Sequence, residues 1–409
     1  MPKPHLAWLP DHHLPVASTL AHAEELIDHL NVAVLRYGDT EGDDGPLHLV
    51  EVPVHGGSET RIAAIRPVPR AIALYAADAM TTLRAAIEHT IYAEVEYQLG
   101  RAMRDKEPGS ISMPASTTPE DFAIWEQKGS KRMPAPLLYG SPLYRRIEEL
   151  QPYRLRNTPQ THPLYLLVSH TNLSKHRTPA VAAARVARII PDTPTDAVAF
   201  MPLSEGPSRV GDVLARTDAG TQVPVSIYAT LALQRPGTDE WPVLVHEIGA
   251  LATWVRTVAI PVLVTGSTQP ELLPSTYSTS VGYGSNDDER EALRAGTYLT
   301  ARERANLAVE TRMARTSLVG MISEPATSPP LSVLTAWAES LTDQQALDRA
   351  RAIRQFILTH GYDDGIVDLV GAFHAEALEH ARKSGSDAQA DVVVDQPAEV
   401  DQVDEEVGK

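Results

Sequence analysis

The stretch Leu74 to Leu99, LYAADAMTTLRAAIEHTIYAEVEYQL, constrains the fold of this chain more than any other. It is rich in Ala, Leu, Met, Glu and Arg, all good helix formers. Met80, Leu83, Ile87, Ile91 and Val95 recur three or four apart and make one apolar stripe. No Pro or Gly interrupts before Gly100, which supplies a C-terminal stop. A helix with such a stripe must be covered by other elements, so the reading predicts a central core helix. Beside the stripe run Arg84, Glu88 and Tyr92 at four-residue spacing, with His89 one step round. At its plainest this flank is a surface Arg84–Glu88 pair, contributing about 0.3–0.5 kcal/mol. A second polar cluster, Ser174-Lys175-His176-Arg177, ends a later helix, where the macrodipole favours cations.

At 409 residues and 43% hydrophobic content the chain exceeds one small core, and two domains plus a tail are expected. The absence of cysteine excludes disulfides, thiolate metal sites and a Cys nucleophile. The net charge is −17, of which the tail Ser384–Lys409 supplies −7. A body still acidic without its tail argues against duplex DNA as a partner, because that binding relies on phosphate neutralisation. The opening MPKPHLAWLPDHHLP has no apolar segment of signal-peptide length, and no uninterrupted apolar run approaches the roughly 18 residues of a membrane span. The expectation is a cytoplasmic protein with no membrane partner.

Residues 1–16 read as an extended arm, with His12 and His13 solvated, since adjacent His side chains point different ways in a helix or strand. A helix is expected over Ser18–Leu30, capped by Ser18 or Thr19, with Val32–Arg36 extending it or starting a strand. Leu47–Val54 and Arg61–Arg66 read as paired strands around a turn. After an irregular Pro-rich region come helices at Pro142–Leu150 and from Pro163 through PLYLLVSHTNLSKHR. Val181–Ile190, Ala197–Leu203, Asp212–Arg216 and Val223–Leu233 alternate like strands, and Pro242–Val264 reads as a helix broken at Pro261. From Asp287 the pattern is helical, with capping boxes at Thr300–Glu303 and Thr342–Gln345. His374, Glu376, Glu379 and His380 read as a solvated charged face. The expected fold class is α+β: helices on an antiparallel sheet over 1–265, a linker over 266–286, a smaller helical domain over 287–383 and a disordered acidic tail over 384–409. Phosphate-binding loops, dinucleotide fingerprints, HExxH and GxSxG motifs are absent from the sequence, so no cofactor or metal is expected.

Leu83-Arg84-Ala85-Ala86-Ile87-Glu88-His89, Leu150-Gln151-Pro152-Tyr153 and Ser174-Lys175-His176-Arg177 stand in an order and spacing that resembles a bacterial and phage protein family. That family has an LRSALDH-type helix, an LQPY turn and a DKHR-type helix before a β-region. The departures are Glu88 and Ser174 where Asp is usual, and Ala77 where Gly is usual. This resemblance brings no activity with it. Arg84 to His89 is also similar to the R-x4-H element of HEPN-type ribonucleases, with Ala85 in place of the usual polar residue.

Two functional expectations follow. In one, the protein is a non-catalytic interaction protein of phage or mobile-element type, with a protein or RNA partner. Its polar clusters then tie two helices together, for example through Glu88 with Arg177 or Lys175. In the other, implied by the HEPN similarity, it is a metal-independent ribonuclease of toxin or defence type. Arg84, Glu88, His89, Lys175, His176 and Arg177 would then share a cleft, completed across a homodimer, with His as acid–base and Arg on the phosphate. A paired-carboxylate hydrolase using Asp78 and Glu88 fails on distance, since ten residues of helix span about 15 Å.

Overall fold

The computed structural model describes residues 6–38, 45–104, 106–129, 132–176, 180–191, 196–223, 225–323, 328–360 and 364–390. The chain divides into two compact units, 1–305 and 306–409.

In the first unit, a 3-10 turn at Asp11–His13 runs directly into helix α1 (Leu14–Gly38). The helix therefore begins four residues before the expected Ser18, and Val32–Arg36 continues it. Thr19 is no cap: its hydroxyl donates to Pro15 O, 3.0 Å away within the helix. Strands β1 (Leu47–Val54) and β2 (Gly57–Ile65) then form a hairpin closed by the pair Val54–Gly57. Gly57 is required there, because a Cβ would lie 2.1 Å from Thr217 O on the next strand.

Helix α2 (Arg70–Leu99) follows, entered at Pro69 and stopped by Gly100, whose left-handed φ of 59° lets its N–H return to Glu96 O and Tyr97 O. The predicted stripe is the core: Met80, Leu83, Ile87, Ile91 and Val95 are all buried. Helices α3 (Pro119–Gly129), α4 (Pro142–Glu149) and α5 (Pro163–His176) lead to strands β3 (Ala182–Pro191), β4 (Val198–Phe200), β5 (Val213–Asp218) and β6 (Val225–Leu233). One antiparallel sheet has the order β1-β2-β5-β4, and β3 pairs with β6 as a separate ribbon. The fold class is α+β, as expected.

Helices α6 (Leu244–Trp254) and α7 (Ile260–Thr265) are joined by a π-helical turn at Val255–Ala259. The expected break at Pro261 is absent. The wider turn immediately upstream accommodates a residue that has no N–H to donate. Leu244–Thr265 is long and apolar enough to cross a membrane, and 67% of that window is buried inside the protein. It packs against α2, as do α1 and α5. Residues of the expected linker are packed on this same unit: Leu273, Ser275 and Tyr277 are buried, and the Tyr277 hydroxyl lies 2.6 Å from Ser18 Oγ. Helix α8 (Asn286–Arg294) follows.

Helix α9 (Ala301–Ser323) opens on the expected capping box: Thr300 N–H donates to Glu303 Oε2 at 2.7 Å and Glu303 N–H to Thr300 Oγ1 at 3.2 Å. The second unit contains the later part of α9 with α10 (Leu331–Ser340), α11 (Asp343–His360) and α12 (Asp364–Ala390). Its core includes Leu318, Leu334, Trp337, Ile353 and Phe373. The Thr342–Gln345 box caps α11. His374 Nε2 lies 2.6 Å from Ile322 O, while Glu376 pairs with Arg349 and Glu379 with Lys383, so these side chains are engaged separately. Residues 384–390 continue α12, and the rest of the expected acidic tail lies outside the described residues.

Buried His170 on α5 makes the first unit acid-sensitive. Burial pushes its pKa down to about 4, against the pull of nearby Glu247. An unfolded His titrates near 6.5, so between these values the unfolded chain binds a proton that the folded one refuses. Stability is therefore complete above that window and falls as pH drops through it, by about 3 kcal/mol. Urea midpoints at about pH 7 and about pH 4.5 should differ more for the wild type than for His170→Gln. Equal differences reject this assignment.

Candidate functional site

Two polar groupings lie along α2. The first is the predicted one. Arg84 Nη1 donates to Thr171 Oγ1 and Asn172 Oδ1 of α5, both at 2.9 Å. Thr171 is buried and donates its own proton back to Leu167 O, leaving its lone pairs to Arg84. Arg84 Nε reaches Glu88 Oε1 at 3.4 Å, a long and partly solvated contact. His89 turns elsewhere: its Nδ1 lies 3.2 Å from Thr19 Oγ1 on α1. Five residues along a helix is about 140° of rotation, which explains the divergence. Lys175 is exposed, His176 closes α5, and Arg177 lies outside the described residues. The structure thus joins Arg84 to α5 at Thr171 and Asn172, a turn before Lys175, leaves Glu88 paired with Arg84 on α2, and directs His89 to α1.

The second grouping centres on Glu94, further along the same helix. His12 and His13 do not belong to a solvated arm. His13 is fully buried, and both imidazoles reach one oxygen of Glu94 across more than eighty residues of sequence. His12 Nε2 lies 3.3 Å and His13 Nε2 3.1 Å from Glu94 Oε2. Neighbours in a 3-10 turn are about 120° apart, and the rings settle with centroids 4.2 Å apart and a 44° tilt. His12 also stacks on Tyr97, 4.1 Å away and 7° from parallel. The other carboxylate oxygen, Oε1, accepts from Gln98 Nε2 at 2.7 Å and faces Arg146 Nη1 at 3.5 Å. Arg146 is itself held by Leu263 O and Val264 O at the end of α7, at 3.0 and 2.9 Å.

Burial alone would raise the Glu94 pKa. The hydrogen bonds from His13, Gln98 and His12 overcome this and hold it at about 2. His12 is pushed down by burial and by the neighbouring His13, with Glu94 opposing. Sequence reasoning missed this group because the two His residues have no local partner. A signal was present on the other side: Glu94 follows Ile91 by three and Ile87 by seven, which places a carboxylate on the buried face, where it needs partners.

No protein-family model, curated protein or solved structure matches this chain.

Proposed function

We propose that the protein is a non-catalytic interaction protein that acts by binding another protein, and that the α2–α5 contact is an internal clasp. The observation that supports this reading is the engagement of Arg84. Its Nη1 is committed to Thr171 and Asn172, so it is oriented by its own fold rather than held ready for a phosphate. The other residue of the R-x4-H spacing, His89, faces α1. A net charge of −17 adds an unfavourable field for RNA.

Wild type, Arg84→Ala and His89→Ala should all leave labelled single-stranded RNA intact. Arg84→Ala should lose about 1.5–3 kcal/mol of stability, the scale of hydrogen bonds to a charged donor. RNA cleavage by the wild type that disappears in His89→Ala would instead establish the ribonuclease reading. For the binding half, in-cell cross-linking in the protein's own host should yield one foreign polypeptide in stoichiometric amount. Cross-links only between copies of this chain, or none, overturn it.

A further inference from the structure

The geometry points to a binding site for one divalent transition-metal ion of the zinc class, with His12 Nε2, His13 Nε2 and a Glu94 carboxylate oxygen as ligands. The three ligand atoms lie within 4.8 Å of one another. The two nitrogens stand 3.3 and 3.1 Å from Glu94 Oε2. Ligands on bonds of about 2.0–2.2 Å are separated by about 2.9–3.4 Å in octahedral to tetrahedral arrangements, so both imidazole–carboxylate spacings fall within the range of a coordination shell. Two imidazoles and one carboxylate form a borderline donor set, which favours Zn²⁺, Co²⁺ or Fe²⁺ over Ca²⁺ or Mg²⁺.

Each ligand is oriented by groups that leave its coordinating atom unused. Tyr97 stacks against the His12 ring. Full burial fixes His13. Gln98 and Arg146 take Glu94 Oε1 and so present Oε2 to the imidazoles. Outer groups that orient metal ligands in this way are a regular part of metal sites. The His12 side chain is 21% exposed, which gives an ion a route in.

Two features limit the affinity. The buried Nδ1 of His13 has no hydrogen-bond partner, whereas a metal-bound His ordinarily donates from that nitrogen. The Arg146 charge also stands beside the carboxylate. The site should therefore bind reversibly and be stripped by chelators. Binding would join the turn before α1 to α2, so the ion stabilises the first unit by mass action.

The test uses the full-length chain without a His tag, treated with chelator and then titrated with Zn²⁺ or Co²⁺. The expected result is saturable binding of one ion per chain, a visible Co²⁺ spectrum typical of mixed nitrogen and oxygen ligation, and a higher melting temperature with Zn²⁺. His12→Ala should lose all three, and Glu94→Gln should lose the Co²⁺ spectrum. His22→Ala, which alters an exposed His beside Glu25, should change none of them. Glu94→Gln retains size and an acceptor, and His12 is partly exposed, so both variants are suited to folding. Should either fail to fold, the wild-type titration decides alone. Absence of saturable one-to-one binding overturns the proposal, as does binding that survives in folded His12→Ala.

Discussion

Arg256→Met is expected to destabilise the first unit by about 3–5 kcal/mol. Arg256 and Glu24 are both almost fully buried, and Arg256 Nη2 donates to Glu24 Oε2 at 2.6 Å. The other Glu24 oxygen accepts the N–H of Ala301, at the start of α9. One charge pair thus links α1, the π-helical turn and the entry to α9. Without the guanidinium, a carboxylate is left in the interior with only a backbone donor, and desolvation is no longer offset by attraction. Combining Arg256→Met with Glu24→Leu removes both charges and should recover part of the loss. What remains is the unsatisfied Ala301 N–H, about 1–3 kcal/mol. Four of the five Trp residues (Trp8, Trp125, Trp241 and Trp254) lie in the first unit, so urea unfolding followed by fluorescence reports mainly on it. A single variant no less stable than the double one would show that the pair is not what holds these elements together.

Ile87→Ala should cost about 2–5 kcal/mol, while Ile87→Val should cost only about 0.5–1.5. Ile87 is fully buried in the middle of the α2 stripe, where that helix meets the others of the first unit. Deleting its outer atoms removes apolar burial and leaves a cavity that close-packed neighbours fill only in part. Leu74, on the same helix but half exposed, is the control: Leu74→Ala should stay within about 0.5 kcal/mol. The same fluorescence-monitored urea midpoints check all three. Similar losses at Ile87 and Leu74 would mean that the stripe is not the packed face.

The stripe of α2, both capping boxes and the antiparallel pairing of β1 with β2 were legible because each depends on residues a few positions apart. Side-chain periods of 3.6 and 2, and reciprocal bonds across three residues, leave their mark in any short window. The start of α1 was misread for a related reason. Ser18 and Thr19 are good caps in isolation, but the 3-10 turn at Asp11–His13 already carries helical geometry into Leu14. Pro261 was read as a break because the local rule is steric, and the π-helical turn that relieves it forms inside a tightly packed core.

The polar groupings depended on longer-range information. The tie to the later helix was expected through Glu88 with Arg177 or Lys175, whereas it is Arg84 that reaches α5, and its partners are Thr171 and Asn172, neutral side chains with nothing distinctive in their spacing. His12 and His13 looked solvated because nothing near them in sequence could bind them, and their partner is Glu94, on α2.

By itself, then, the sequence determined that Leu74–Leu99 is a core helix, which face of it is buried, and that the fold is α+β. Local periodicity and propensity decide those properties before any tertiary contact forms. Only the tertiary structure decided which polar side chains meet: Arg84 with α5, His89 with α1, and two imidazoles on one oxygen of Glu94. Those meetings depend on how distant segments are brought together by burial of the apolar stripe, and the spacing of residues along the chain carries no record of that.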